Sequence, residues 1–168
     1  ARELFRSVTL DLAEGEFLGV VGPSGAGKSM LLSCLSGLVR PDAGDVLIDG
    51  TPVTALTESD RALQRVGTMG FATSTPGLVG VLTAQENVEL PLQIAGWSRS
   101  DASKEATAAL TLLRVEDLAD ALPDTLSGGE RVKVTLARAL VGEPKIVWAD
   151  EPTAGLDPGS ADDVAHVL

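Results

Sequence analysis

The chain has no tyrosine, and only 3% of its 168 residues are aromatic, so few rings are present to stack on a planar ligand. It has one cysteine, Cys34, which rules out a disulfide within the chain and suits a reducing compartment. Because Cys34 lies in the apolar run 30–38, it reads as a small buried residue. Basic residues are scarce, 13 Lys and Arg against 24 Asp and Glu, for a net charge of −11. A broad nucleic-acid footprint needs clustered Lys and Arg, so nucleic acid is not an expected partner. The charge does not oppose a small phosphorylated ligand, which a few local donors can hold, and it reads otherwise as a soluble surface. No stretch approaches the ~20 apolar residues of a membrane span. The opening Ala1-Arg2-Glu3 does not resemble a secretory signal. Any service to a membrane is therefore expected from its cytoplasmic side, through a partner. With 44% hydrophobic and 22% charged residues, the composition is that of one soluble globular domain.

Alternating strand and helix patterns predict an α/β domain. Residues 8–12 alternate in polarity and end at a Glu14-Gly15-Glu16 turn. Residues 17–21 and 145–149 are short apolar runs, the pattern of strands buried on both faces of a parallel sheet. Further strands are predicted at 46–48, closed by Asp49-Gly50, and at 66–71. Helices are predicted over 28–39, from Thr57-Glu58-Ser59-Asp60, from the capping box Thr83-Ala84-Gln85-Glu86 to about Ile94, to about Leu113, and over 116–122. Two more follow, one from Ser127 to near Val141 and one opened by Asp157-Pro158. The block from about 78 to 122 is purely helical and is expected to project as a subdomain from a core of about 1–77 and 123–168.

Three segments carry chemistry. Gly22-Pro23-Ser24-Gly25-Ala26-Gly27-Lys28-Ser29 matches the phosphate-loop pattern GxxxxGK followed by Ser or Thr at every fixed position. Glycines let backbone N–H groups turn inward around phosphates, and the following helix directs its positive end at them. Lys28 would reach the β- and γ-phosphates of a nucleotide, and the Ser29 hydroxyl would ligate Mg²⁺. Next, Ile146-Val147-Trp148-Ala149-Asp150-Glu151 is an apolar strand ending in two carboxylates at the sheet edge where open α/β sheets bind ligands. Asp150 would hold Mg²⁺, and Glu151 would act as general base on the attacking water. Third, Leu126-Ser127-Gly128-Gly129-Glu130 is a helix start with capping-box spacing.

Together these segments make the chain resemble an ABC transporter nucleotide-binding domain over essentially its whole length. The resemblance implies a P-loop NTPase core with a mostly parallel sheet, an antiparallel β subdomain and a helical subdomain. The usual signature is LSGGQ. Glu130 in its last place, with Glu86-Asn87-Val88 and Leu90-Pro91-Leu92, resembles the subgroup that drives lipoprotein release and macrolide export. The resemblance implies an ATPase whose two copies, identical or different, close head-to-tail over two ATP molecules. Ser127, Gly128, Gly129 and Glu130 of one copy would then contact the γ-phosphate held by the other. It also implies a transmembrane permease as partner and a place on the inner face of the plasma membrane. Asp157, in Ala154-Gly155-Leu156-Asp157, stands either at the D-loop position, where copies communicate, or as a plain helix cap.

Three departures accompany the match. The position of the family's Gln, which touches Mg²⁺ and the attacking water, falls on Ser74; either Ser74 takes that place or a local register shift brings another residue there. Met30 stands where a Thr usually holds the α-phosphate, a loss of ~1 kcal/mol for one neutral hydrogen bond. His166 lies in the last helix and is not the family's γ-phosphate sensor. That sensor and the adenine-stacking aromatic are expected beyond the two ends of this sequence. Two other functions compete with a transport ATPase. One is a regulatory cassette that binds ATP and hardly hydrolyses it, motivated by Ser74 and opposed by Asp150-Glu151. The other is a non-transport ABC ATPase, opposed by the acidic charge and by a Ser29 to Ser127 span too short for a coiled-coil arm.

Overall fold

The computed structural model describes residues 5–73 and 77–168, which pack as two compact units, Ala1–Thr57 and Glu58–Leu168. In the first unit, residues 5–27 carry no helix or ladder. A turn at Glu14-Gly15 is closed by Glu16 N–H to the Ala13 carbonyl (3.1 Å) and by Ala13 N–H to the Glu16 carboxylate (2.9 Å). Helix α1 (Lys28–Leu35) follows. It stops short of the predicted Val39 because Gly37 takes a positive φ of 69°, and Gly37 and Val39 then close back on the carbonyls of Cys34 and Ser33. Cys34 is buried as expected. Strands β1 (Leu47–Ile48) and β2 (Thr51–Pro52) form an antiparallel hairpin with Ile48 opposite Thr51. Asp49 and Gly50 both have positive φ, the conformation that tight hairpin turns demand.

The predicted strands at 8–12 and 17–21 are not formed. Phe17 is 80% and Val21 93% exposed, the reverse of the doubly buried strand expected of 17–21. An apolar run becomes a buried strand only where neighbours complete its ladder, and among the described residues none pairs with this one.

The second unit is built around one helix. Its elements are α2 (Glu58–Arg65), β3 (Met69–Thr73), α3 (Ala84–Ile94), α4 (Arg99–Leu112), α5 (Gly128–Leu140), β4 (Ile146–Asp150) and α6 (Pro158–Val167). Side-chain caps start four of the helices: Thr83 for α3, Ser98 for α4, Ser127 for α5 and Asp157 for α6. The expected helix at 116–122 is only a 3₁₀ turn over Glu116–Leu118, with Pro123 close behind to oppose helical continuation. Helix α5 is buried at Val134, Thr135, Leu136, Ala137 and Ala139. It packs against α3, α4 and β3. From α4, Ala102, Ala106, Ala109 and Leu110 face this core at helical spacing, so small side chains let the helices approach closely.

Strands β3 and β4 are parallel neighbours, with Phe71 beside Trp148 and Thr73 beside Asp150. A Cβ added to Gly70 would lie 1.7 Å from the Ala139 carbonyl oxygen, so glycine is what permits β3 to lie directly on α5. Strand β4 was expected to be buried on both faces; all five residues are instead half-buried, with one hydrogen-bonded neighbour strand among the described residues. The parallel pair, with three helices in the connection between its strands, gives the α/β class its core, and the β1–β2 hairpin is its antiparallel part. Among the described residues no helix is long and apolar enough to cross a membrane.

Candidate functional site

The first unit carries the phosphate loop. Gly25 and Gly27 have φ of 76° and 97°, values an L side chain rarely adopts, and Ala26 N–H closes the turn on the Pro23 carbonyl at 3.2 Å. Gly27 is the N-cap of α1 and offers no side-chain oxygen. The first-turn N–H groups of a helix have no intrahelical acceptor, so those of Lys28, Ser29 and Met30 are presented with the helix's positive end. Lys28 arches over the loop, its Nζ donating to the carbonyls of Gly22 (3.0 Å) and Pro23 (3.2 Å). That places an ammonium above an exposed loop of Gly22, Pro23, Ser24, Gly25 and Ala26. Ser29 and Met30 are exposed on the first turn.

The second unit carries the other predicted residues. Asp150 closes β4, and Glu151 follows with φ 50°, a left-handed conformation uncommon for a residue with a side chain. That bend turns the chain out of the strand at once; Ala154 N–H then closes on the Glu151 carbonyl at 3.0 Å. Glu151 is exposed. Non-glycine residues held in such conformations concentrate at functional sites.

Ser127 and Glu130 form a reciprocal capping box at the start of α5. Ser127 N–H donates to Glu130 Oε2 (2.7 Å), and Glu130 N–H to Ser127 Oγ (3.3 Å). The side-chain and backbone hydrogen bonds from Ser127, with the charge of Lys133, hold the Glu130 carboxyl below its ordinary value. Ser127 and Gly128 stay exposed. Asp157 caps α6, accepting from Ser160 N–H at 3.1 Å, and its carboxyl is lowered by those Ser160 bonds. Gly129 abuts the same turn: a Cβ there would meet Leu156 Cδ2 at 3.7 Å and Ser160 Oγ at 3.8 Å. The segments of Ser127–Glu130 and Asp157 thus come together. The phosphate loop belongs to the other unit. Ser74 lies outside the described residues. His166 is exposed on α6, its ring nitrogen 3.2 Å from the Asp162 carbonyl.

Three features had no sequence signal of their own. Asn87 is fully buried; its Oδ1 accepts from Val79 N–H (2.7 Å), and its Nδ2 donates to the carbonyls of Val79 (3.1 Å), Leu82 (3.0 Å) and Thr83 (2.9 Å). In the sequence it stands out only as part of Glu86-Asn87-Val88. Arg138 of α5 donates to the Gly77 carbonyl at 2.8 Å, and burial lowers its pKa. Asp163 of α6 binds both Lys133 and Arg114. Pairs so distant in sequence leave no local pattern. An open groove of about 630 Å³, walled by Glu86, Glu89, Arg99, Ser103 and Lys104 among others, lies on α3 and α4 and holds none of the predicted phosphate-loop or strand-end residues.

The family pattern described as ABC transporter matches residues 5–154. The chain belongs to the ABC transporter family. This cassette is 41% identical to the macrolide export ATP-binding/permease protein MacB of Brucella melitensis, over all of this chain and 26% of that protein. It is 42% identical to the lipoprotein-releasing system ATP-binding protein LolD 2 of Caulobacter vibrioides, over 98% of this chain and 72% of that one. It is 40% identical to the methionine import ATP-binding protein MetN of Rhizobium johnstonii, over 96% of this chain and 44% of that one. The chain thus spans about a quarter of the length of the macrolide exporter. Among solved structures, the dimeric bacterial ABC transporter cassette MJ0796 superposes with a TM-score of 0.92 at 36% identity, covering 98% of this chain and 73% of that one. A second structure of MJ0796, described as post-hydrolysis and bound to ADP and Pi, agrees equally well. The fold is that of a P-loop ABC ATPase cassette, and the resemblance to the lipoprotein-release and macrolide-export subgroup holds.

Proposed function

We propose that this cassette binds and hydrolyses Mg-ATP as the motor of a membrane transporter. The observation that carries the reading is the glycine-turned loop with Lys28 folded over it, in a chain of this family. Lys28 and the inward-turned N–H groups bind the β- and γ-phosphates, and Gly22, Pro23, Ser24, Gly25, Ala26, Gly27, Ser29 and Met30 complete the cradle. The Ser29 hydroxyl and the Asp150 carboxylate are hard oxygen donors of the kind Mg²⁺ takes beside phosphate oxygens and water, so they fit the ion. When bound, it neutralises charge on the phosphates. Glu151, exposed just past the strand on a left-handed bend, accepts a proton from the attacking water.

A second cassette supplies the rest. Its Ser127, Gly128, Gly129 and Glu130 face the γ-phosphate, where the capped helix start still offers N–H groups and a positive dipole. Asp157 lies at the contact between copies, and Ser74 fills the family's Gln position. The helical block of about 78–122, set on a core of about 1–77 and 123–168, engages a permease that holds the cassette at the inner face of the plasma membrane. Glu130 and Glu86-Asn87-Val88 favour export or release as the direction. The dimeric MJ0796 cassette and the relatives named for macrolide export and lipoprotein release support this assignment.

The test is ATP-driven self-association in a Glu151→Gln background, followed by sedimentation, beside binding of a fluorescent ATP analogue to the monomer. Lys28→Met should abolish binding. Ser127→Asp keeps a competent helix cap but sets a negative charge against the phosphate, so it should leave analogue binding intact and abolish the dimer. Dimerisation that ignores Ser127→Asp would overturn the two-copy site.

A further inference from the structure

The signature turn and the D-loop turn meet in the second unit, and an ion triad lies one to two turns further along their helices. Lys133 Nζ is 2.9 Å from Asp163 Oδ2, and Arg114 Nη1 is 3.4 Å from Asp163 Oδ1, so both carboxylate oxygens are engaged. The Lys133 side chain is only 13% exposed, so its charge is largely withdrawn from water and depends on a counter-ion. Asp163 supplies it from α6, one residue before Val164, which is fully buried in the core. Arg114 reaches in from the end of α4 with φ 57°, in the left-handed position where helices commonly place glycine. Lys133 lies three residues beyond Glu130 on α5, and Asp163 six beyond Asp157 on α6. Between the two helix starts, Leu156 Cδ2 and Ser160 Oγ lie 3.7 and 3.8 Å from where a Cβ on Gly129 would stand. The groups acting on Asp163 from the packed elements are Lys133 of α5, Arg114 beside α4 and Asp157 on its own helix.

We propose that Asp163 is a positioning residue: through Lys133 it locks the D-loop helix to the signature helix, so that one cassette presents Ser127–Glu130 and Asp157 to its partner as a single rigid block. The phosphate loop in the other unit takes no part in this lock, so nucleotide binding by one copy does not need it and assembly of two copies does. This rests on the two-copy site proposed above.

The experiment measures the ATP-driven dimer dissociation constant of the full chain in the Glu151→Gln background, the monomer's affinity for the fluorescent ATP analogue, and Tm. Asp163→Asn and Lys133→Met should each weaken the dimer at least tenfold while analogue affinity stays within twofold. The double variant should be no weaker than either single one, because both remove the same interaction. Asp163→Glu, which keeps the charge, should restore the dimer to within about threefold. Equal loss of analogue binding and dimer in Asp163→Asn would show a general structural role and overturn the proposal. So would a dimer unaffected by Asp163→Asn, while Ser127→Asp still abolishes it, and the two-copy site would then stand alone. A dimer that ignores Ser127→Asp would remove that site and this lock with it.

Discussion

Replacing Gly70 by alanine probes the closest backbone approach in the second unit. The new Cβ would lie 1.7 Å from the Ala139 carbonyl oxygen and 2.7 Å from the carbonyl carbon. Both obstructing atoms are backbone of Ala139, in the last turn of α5, so no rotamer change relieves the clash. Strand β3 must move off α5 by about 1.5 Å to reach van der Waals separation. Forcing an extra carbon into a packed core typically costs ~1–3 kcal/mol, and a backbone obstruction belongs at the upper end. For a chain of this size each kcal/mol moves Tm by roughly 2–4 °C, so Gly70→Ala should lower it by about 6–12 °C. Strand β3 pairs with β4, which ends in Asp150, so the same shift disturbs the strand end that carries Asp150. Gly80→Ala is the control: its Cβ would meet nothing within 4 Å. Thermal unfolding followed by circular dichroism gives both values. A Gly70→Ala protein melting within about 2 °C of wild type would refute the packing described for β3 and α5.

Asn87→Leu should cost about 3 kcal/mol, because it leaves the Val79 N–H and the Val79 and Leu82 carbonyls without their side-chain partner; urea unfolding reads this, and a loss below about 1 kcal/mol would contradict it. Glu130, Asp157 and Asp163 all have carboxyls held below their ordinary values, Glu130 and Asp157 chiefly by hydrogen bonds from Ser127 and Ser160, and Asp163 by Lys133. A depressed folded value means that the stabilisation is present above the ordinary value, 4.5 for Glu and 3.8 for Asp, and is lost as pH falls through the lowered one. Tm should therefore fall on acidification through about pH 5 to 3, and Glu130→Gln, which keeps the capping geometry without the titration, should flatten part of that fall. Parallel curves for the two proteins would refute the role given to the Glu130 carboxylate.

The parts of the fold that were legible in the sequence are those fixed by neighbours along the chain. Thr83 with Glu86, Ser127 with Glu130, and Asp157 before Pro158 announce helix starts, and each forms the predicted cap. Asp49-Gly50 likewise marks where the strand at 46–48 closes, while its hairpin partner at Thr51–Pro52 carries no signal of its own. The runs at 17–21 and 145–149 look alike in composition, yet only the second is a strand, because ladder formation depends on a neighbour the run itself does not specify. Among the candidate site residues, the phosphate loop, Asp150-Glu151 and Ser127–Glu130 are contiguous motifs whose proposed chemistry rests on residue type and spacing. Arg138 on Gly77, and Lys133 with Asp163, join segments tens of residues apart, and only packing reveals them. The left-handed bend at Glu151 is likewise a property of the strand's exit from the sheet, since glutamate carries no preference for it.

Under the proposed function, Glu151 is the general base of an ATP-hydrolysing cassette. Release of phosphate from Mg-ATP by the full-length protein that carries this cassette, measured beside Glu151→Gln, reads that role. Turnover is expected in the wild type, and in the variant a loss of at least a hundredfold with ATP still bound. Binding without turnover in both, or equal turnover in both, would contradict it.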